Sequence, residues 1–118
     1  MKDNQLGEME ARFAELIWER APIPSGELVK LCDEKLGWKK STTYTMLRRL
    51  VQRGIFESRD SIVSTRISRE EFASMQSERF VEETFGGSLP AFLAAFTSRK
   101  KLSEKEVEEL LQIIERGK

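Results

Sequence analysis

Lys39, Lys40, Ser41, Thr42, Tyr44, Thr45, Arg48 and Arg49 stand together in WKKSTTYTMLRRL, residues 38–50. Ammonium and guanidinium groups beside short hydroxyls hydrogen-bond anions and the edges of planar polar rings, which is the chemistry of phosphate and base recognition. Covalent chemistry is poorly supplied. The chain has no histidine and one cysteine, Cys32, so Ser-His-Asp and Cys-His nucleophile systems and the usual Cys/His zinc sites are excluded. Its 20 acidic residues include no carboxylate pair set apart from evident helix surfaces, so paired-carboxylate hydrolysis has no support. No catalytic residue, metal or cofactor is expected.

The zero net charge of the 118 residues conceals a strong asymmetry. Residues 37–69 hold eight basic and two acidic side chains, net +6, between flanking segments of −3 each. Lys39, Lys40, Arg48, Arg49, Arg53, Arg59, Arg66 and Arg69 carry the central charge. A local basic surface of this kind attracts nucleic acid even on a neutral molecule.

The elements that must position these groups follow from periodicity. Leu6, Met9, Phe13, Leu16 and Ile17 recur at three- and four-residue steps and predict an amphipathic helix ending before Pro22, its buried face widened by Trp18. Ile23 is expected to pair briefly as an edge strand. Ser25 is read as the N-cap of a second helix, with Leu28, Leu31, Cys32 and Leu36 inward and Gly37 as its stop. Ser41 is read as the cap of a third. Thr43, Met46, Leu47, Leu50 and Val51 fall at i, i+3, i+4, i+7 and i+8 and predict its docking stripe, with Trp38 buried beside its start. Thr42, Tyr44, Thr45, Arg48, Arg49 and Gln52 are left on the other faces. Gly54 ends this helix, and IFESRDSIVSTRI after it predicts a short hairpin turning at Asp60-Ser61, with Arg59 and Arg66 as wing contacts. Helix, helix, helix, hairpin is the order of a winged helix-turn-helix DNA-binding domain, residues 1–68. Cys32 is read as a small core residue rather than a redox switch.

From Ser68 the pattern is helical alone. SREE (Ser68–Glu71) and SEKE (Ser103–Glu106) are capping boxes, and Ser88 can cap a helix with Pro90 in its first turn. Helices are predicted over 69–85, 89–99 and 104–116, separated first by Gly86-Gly87. Their apolar residues are Phe72, Met75, Phe80, Val81 and Phe85, then Leu89, Phe92, Leu93 and Phe96, then Val107, Leu110, Leu111 and Ile114. Three short helices make a poor independent core, so residues 69–118 are read as a helical dimerisation domain. An isologous homodimer through them would place two reading helices on one duplex. The fold class is therefore mainly α, a winged helix-turn-helix followed by a three-helix tail. The rival reading is a winged-helix protein-interaction module that uses the basic face for an acidic partner, since fold alone does not choose.

Nothing in the sequence points to a membrane. The N-terminus MKDNQLGEMEARF has no apolar core region, and the longest uncharged run, Thr84 to Ser98, is interrupted by Gly86, Gly87 and Pro90 and is shorter than the roughly 18 apolar residues a span needs. A single cysteine fits a reducing cytoplasm.

Along nearly its whole length the chain resembles the penicillinase repressors of the BlaI/MecI type. LGEMEARFAELIWE resembles the first helix of that family, GWKKSTTYTMLRRLVQRGIF its reading helix and following turn, and FGGSLPAFLAAFTSRKKLSEKEVEELLQII its dimerisation tail. The tail, with its Gly86-Gly87-Ser88 break and later LSEKEVEEL, is the most specific part. The resemblance implies a cytoplasmic bacterial transcriptional repressor that binds operator DNA, an inverted repeat, as a homodimer. It also implies pairing with a membrane-bound sensor protease and induction by cleavage in the tail, the matching bond being Ala95-Phe96. Family sites commonly carry a polar residue before the phenylalanine, where this chain has Ala95. The hairpin is several residues shorter than the family norm and lacks its glycine, which shifts reading toward the helix. The cysteine-rich metal tail of a copper-responsive branch is absent.

Overall fold

The computed structural model describes residues 6–117. Among them run α1 (Glu8–Arg20), β1 (Ile23–Pro24), α2 (Ser25–Leu36), α3 (Lys40–Gln52), β2 (Phe56–Arg59), β3 (Ile62–Thr65), α4 (Arg69–Phe85), α5 (Leu89–Arg99) and α6 (Glu104–Arg116). The chain is mainly helical, in the order that the sequence predicts. It divides into two compact units between Ser77 and Glu78, inside α4.

Local chemistry explains most of the boundaries. Gly7 is extended and its N–H donates to Glu10 Oε1 at 3.0 Å, so α1 begins at Glu8, and Leu6 lies outside it. Gly37 closes α2 in the left-handed conformation at φ 69°, its N–H returning to Asp33 O and that of Trp38 to Cys32 O. Asp60 and Ser61 both have positive φ, 53° and 63°, the backbone a two-residue hairpin turn needs to match strand twist. β3 is the middle strand of an antiparallel sheet ordered β1-β3-β2, with Ile23 opposite Val63 and Ser58 opposite Val63 on the other side.

Two expected caps are corrected. Ser25 and Ser41 do not cap α2 and α3: the residues before the helices are Pro24 and Lys39, and neither supplies a side-chain bond. Ser25 Oγ accepts instead from the Tyr44 hydroxyl at 3.2 Å, and its N–H donates to Ser61 O at 2.8 Å. Ser41 lies within the first turn of α3, exposed.

The core of the first unit joins Phe13, Ala14 and Ile17 of α1, Leu28, Leu31 and Cys32 of α2, Leu47 and Leu50 of α3, and Ile23, Ile55, Phe56 and Val63 of the sheet region. Trp18 packs on Phe56 and Phe72 at ring distances of 5.5 and 5.9 Å and donates its indole N–H to Ile67 O at 3.0 Å. Trp38, half-buried, packs at 5.2 Å on Phe13. Phe72 is only 6% exposed in this cluster. It is therefore a core residue of the winged helix and not part of a dimer face, a correction that follows from the first turn of α4 lying against Trp18.

Thr43 is the exception in this core. Its hydroxyl is buried with no hydrogen-bond partner among the described residues, near the Cys32 thiol, a poor acceptor. Burial pushes the Cys32 thiol above its ordinary value, and the Thr43 hydroxyl offsets part of that rise, so the thiol stays neutral and inert. Replacing Thr43 by the isosteric valine removes an unsatisfied donor, and a gain of about 1 kcal/mol is expected. A urea midpoint unchanged or lowered in Thr43→Val would contradict this.

In the second unit, α5 is capped by Ser88, whose Oγ accepts from Ala91 N–H at 3.0 Å. α6 starts with the full Ser103–Glu106 capping box, at 3.0 and 3.1 Å. The Ser68–Glu71 box at the start of α4 forms as well, both bonds at 3.0 Å. Phe80, Phe85, Phe92 and Phe96 make a chain of ring contacts between 5.6 and 6.1 Å. Yet no residue of α5 or α6 is buried.

Candidate nucleic-acid interface

α3 separates docking from display by its 3.6-residue period. Thr43, Leu47 and Leu50 are buried and Met46 and Val51 half-buried, as their spacing predicts. On the opposite side Ser41, Thr45, Arg48 and Gln52 fall at i, i+4, i+7 and i+11, all exposed along one line. Thr42 and Arg49, seven apart, are exposed beside it. Gln52 belongs to this surface, although the basic and hydroxyl signal in the sequence passes it over; only helical phase reveals it.

Tyr44 departs from the expected surface. It packs half-buried against the core, its hydroxyl spent on Ser25. It fixes α3 against α2 and so positions the line instead of belonging to it.

The N-terminus of α3 has no side-chain cap and no acidic residue in its first turn. Its free amide donors and positive dipole end are flanked by exposed Lys39 and Lys40. Such a helix start stabilises an anion.

The central basic charge is partly neutralised from within. Glu10 of α1 pairs with Arg49 at 3.4 Å and Arg53 at 3.7 Å, Glu15 of α1 with Arg69 at 2.7 Å, and Glu57 with Arg59 at 3.1 Å. The hydrogen bond to Glu15 raises the Arg69 pKa further. Among the described residues, Lys39, Lys40, Arg48 and Arg66 form no ion pair within 4 Å. These four are the cations left for an external anion. Arg59 and Arg66 are both exposed, at the tip and base of the hairpin.

The Gly7 N–H bond, ahead of the two arginines and against the opposing effect of burial, holds the Glu10 carboxyl below the usual carboxylate range. A depressed carboxylate adds stability above its unfolded pKa that is lost as pH falls through the folded one. The stability difference between the wild type and Glu10→Gln should therefore shrink as pH falls from about 5 to about 3. Parallel acid-denaturation curves for the two proteins would refute this.

The second unit gathers the tail residues. Phe80, Leu89, Phe96, Val107, Leu111 and Ile114 are exposed, as is Ile113, which the expected face omits. Phe85, Phe92, Leu93 and Leu110 are half-buried. A groove of about 310 Å³ between α5 and α6 is lined by Phe92, Leu93, Phe96, Leu102, Leu110 and Ile113 with Glu106 and Glu109 at its edge. Ala95 and Phe96 lie exposed within α5. No helix among the described residues is long and apolar enough to cross a membrane.

Three helices, a three-stranded sheet with a tight hairpin, and a helical tail define the class as a winged helix-turn-helix protein with a helical extension. The profile of the penicillinase repressor family matches residues 6–116. The chain belongs to that family, a family of transcriptional repressors. It is 27% identical over 118 residues to the penicillinase repressor of Bacillus licheniformis, covering 97% of this chain and 92% of that one. It is 21% identical over 117 residues to the methicillin resistance regulatory protein MecI of Staphylococcus aureus, covering 96% and 95%. A Staphylococcus aureus penicillinase repressor is 22% identical over 103 residues, covering 84% and 82%.

Proposed function

We propose that the protein is a cytoplasmic repressor that binds an inverted-repeat operator as a homodimer, residues 1–68 meeting DNA and the tail pairing the subunits. The observation that carries this reading is the exposed line Ser41, Thr45, Arg48 and Gln52 on a helix anchored by its other face, beside an uncapped basic start. Thr42, Lys39 and Lys40 join it, and Arg66 extends it onto a short wing, where Arg59 is held by Glu57. Hydroxyls and amides of this size reach base edges, while lysines and helix amides fix the phosphates. Tail pairing is supported by the apolar surfaces of α5 and α6, which have no core of their own.

A gel shift with the DNA upstream of the protein's own operon tests the reading. Retarded duplex of two-fold symmetric footprint is expected; a protein that stays folded and retards no upstream fragment would favour the protein-interaction alternative.

Inactivation by a membrane-bound sensor protease at Ala95-Phe96 is proposed on the family resemblance. The bond lies inside α5, so cutting it requires local unwinding, and Phe96 holds that turn through its contact with Phe92 at 6.1 Å. Replacing Phe96 by a residue that the protease does not accept should leave the repressor full-length and repressing after induction. Normal induction in that variant removes the proposal.

A further inference from the structure

We infer that Glu10 is a specificity-determining residue, an internal stand-in for phosphate that withholds Arg49 from DNA and so restrains binding to non-operator sequence. The inference rests on the DNA reading above and goes beyond it, because Glu10 lies on α1, outside the reading surface.

Arg49 occupies a reading position. It is exposed, one turn beyond Thr45 and two turns beyond Thr42 along α3. A guanidinium there can reach a phosphate flanking the groove, as the other cations of this face can. Its Nη1 instead turns back to Glu10 Oε2 at 3.4 Å.

Glu10 is equipped to hold it. The carboxylate is fixed at the start of its helix by the Gly7 N–H, which donates to Oε1 at 3.0 Å, and Arg53 approaches that same oxygen at 3.7 Å, leaving Oε2 to Arg49. The two arginines differ. The Arg53 side chain is 22% exposed and belongs to the fold, whereas that of Arg49 is 56% exposed and could swing outward. One carboxylate thus keeps one mobile guanidinium in an exchangeable ion pair of the strength that surface pairs have. A DNA phosphate competes for the same guanidinium, and only a duplex held closely by the other contacts outcompetes Glu10.

Glu10→Gln removes the competing charge and keeps an oxygen for the Gly7 N–H. Binding to a random-sequence duplex is measured against salt for the wild type, Glu10→Gln, Arg49→Ala and the double variant. Releasing a guanidinium adds about 0.9 per subunit to the steepness of log K against log[salt]. Glu10→Gln is expected to steepen the slope by about that amount per subunit and to raise low-salt affinity about tenfold. Arg49→Ala should then cost far more slope in the Glu10→Gln background than in the wild type, the non-additivity that identifies a coupled pair. If Glu10→Gln merely lowers the melting temperature and leaves the slope unchanged, or if Arg49→Ala costs the same in both backgrounds, the inference is overturned while the DNA reading stands. If the wild type binds no duplex at any salt, the DNA reading fails and takes the inference with it.

Discussion

Leu111→Glu is expected to leave the protein monomeric at micromolar concentration with its winged helix folded. Leu111 is 57% exposed on α6, flanked by Val107 and Ile114 at four and three residues' distance, so more than half of it is left uncovered by its own unit. Burying the exposed part of such a side chain stabilises an interface by about 1–2 kcal/mol. In an isologous pair every substitution acts twice, so the loss is roughly 2–4 kcal/mol, or about 30- to 10³-fold in dimer dissociation. A glutamate facing its own copy raises the cost further. The proposed operator binding should fall with it, because a monomer reaches one half-site only. Sedimentation reads the first effect and a gel shift the second. A Leu111→Glu protein that sediments as the wild type does would move the pairing surface away from α6.

The local rules held wherever short-range chemistry decides the outcome. Ser68, Ser88 and Ser103 cap their helices as expected because donor and acceptor lie within three residues and nothing distant competes. Asp60-Ser61 turns because two successive residues there can adopt positive φ. Ser25 and Ser41 carry the same cap signal and fail it, since tertiary partners and chain entry take precedence: Tyr44 claims the Ser25 hydroxyl, and Lys39 precedes the first turn of α3. Such competition is invisible to spacing.

The candidate site was legible in outline for the same reason. Helical phase separates Arg48 from Leu47 and Leu50 without any coordinates, and it also contained Gln52, which composition hid. What phase does not encode is who approaches from elsewhere in the chain. Glu10 meets Arg49 across 39 residues of sequence, and Phe72 meets Trp18 across the winged helix. One arginine paired within the fold and one phenylalanine packed into the core instead of the expected dimer face both owe their partners to α1. The acidic first segment is thereby more than a counterweight to the basic one: Glu10 and Glu15, with Glu57 on the hairpin, pair four of its cations and leave Lys39, Lys40, Arg48 and Arg66.

That trimmed set makes the salt dependence of DNA binding calculable. Of the four, Lys39, Lys40 and Arg66 are directed at phosphate and give a dimer about six such cations, and a slope of about −5 in log K against log[salt] follows. Affinity should then fall about 10³-fold between 50 and 200 mM salt. A slope shallower than about −3 would sink the electrostatic reading. The four cations are not equivalent. Lys39 precedes the helix, beside its free amides, where a phosphate is the natural partner, so Lys39→Ala should weaken every sequence alike and flatten the slope by about 1 per subunit. Arg48 stands in line with Ser41, Thr45 and Gln52, and its planar fork can take two acceptors of one guanine. Arg48→Ala should therefore cost about 1–3 kcal/mol on the operator and much less on random DNA, with preference lost at a single base pair of each half-site. Equal losses on both duplexes would make Arg48 another phosphate contact and leave base reading to Thr42, Thr45 and Gln52.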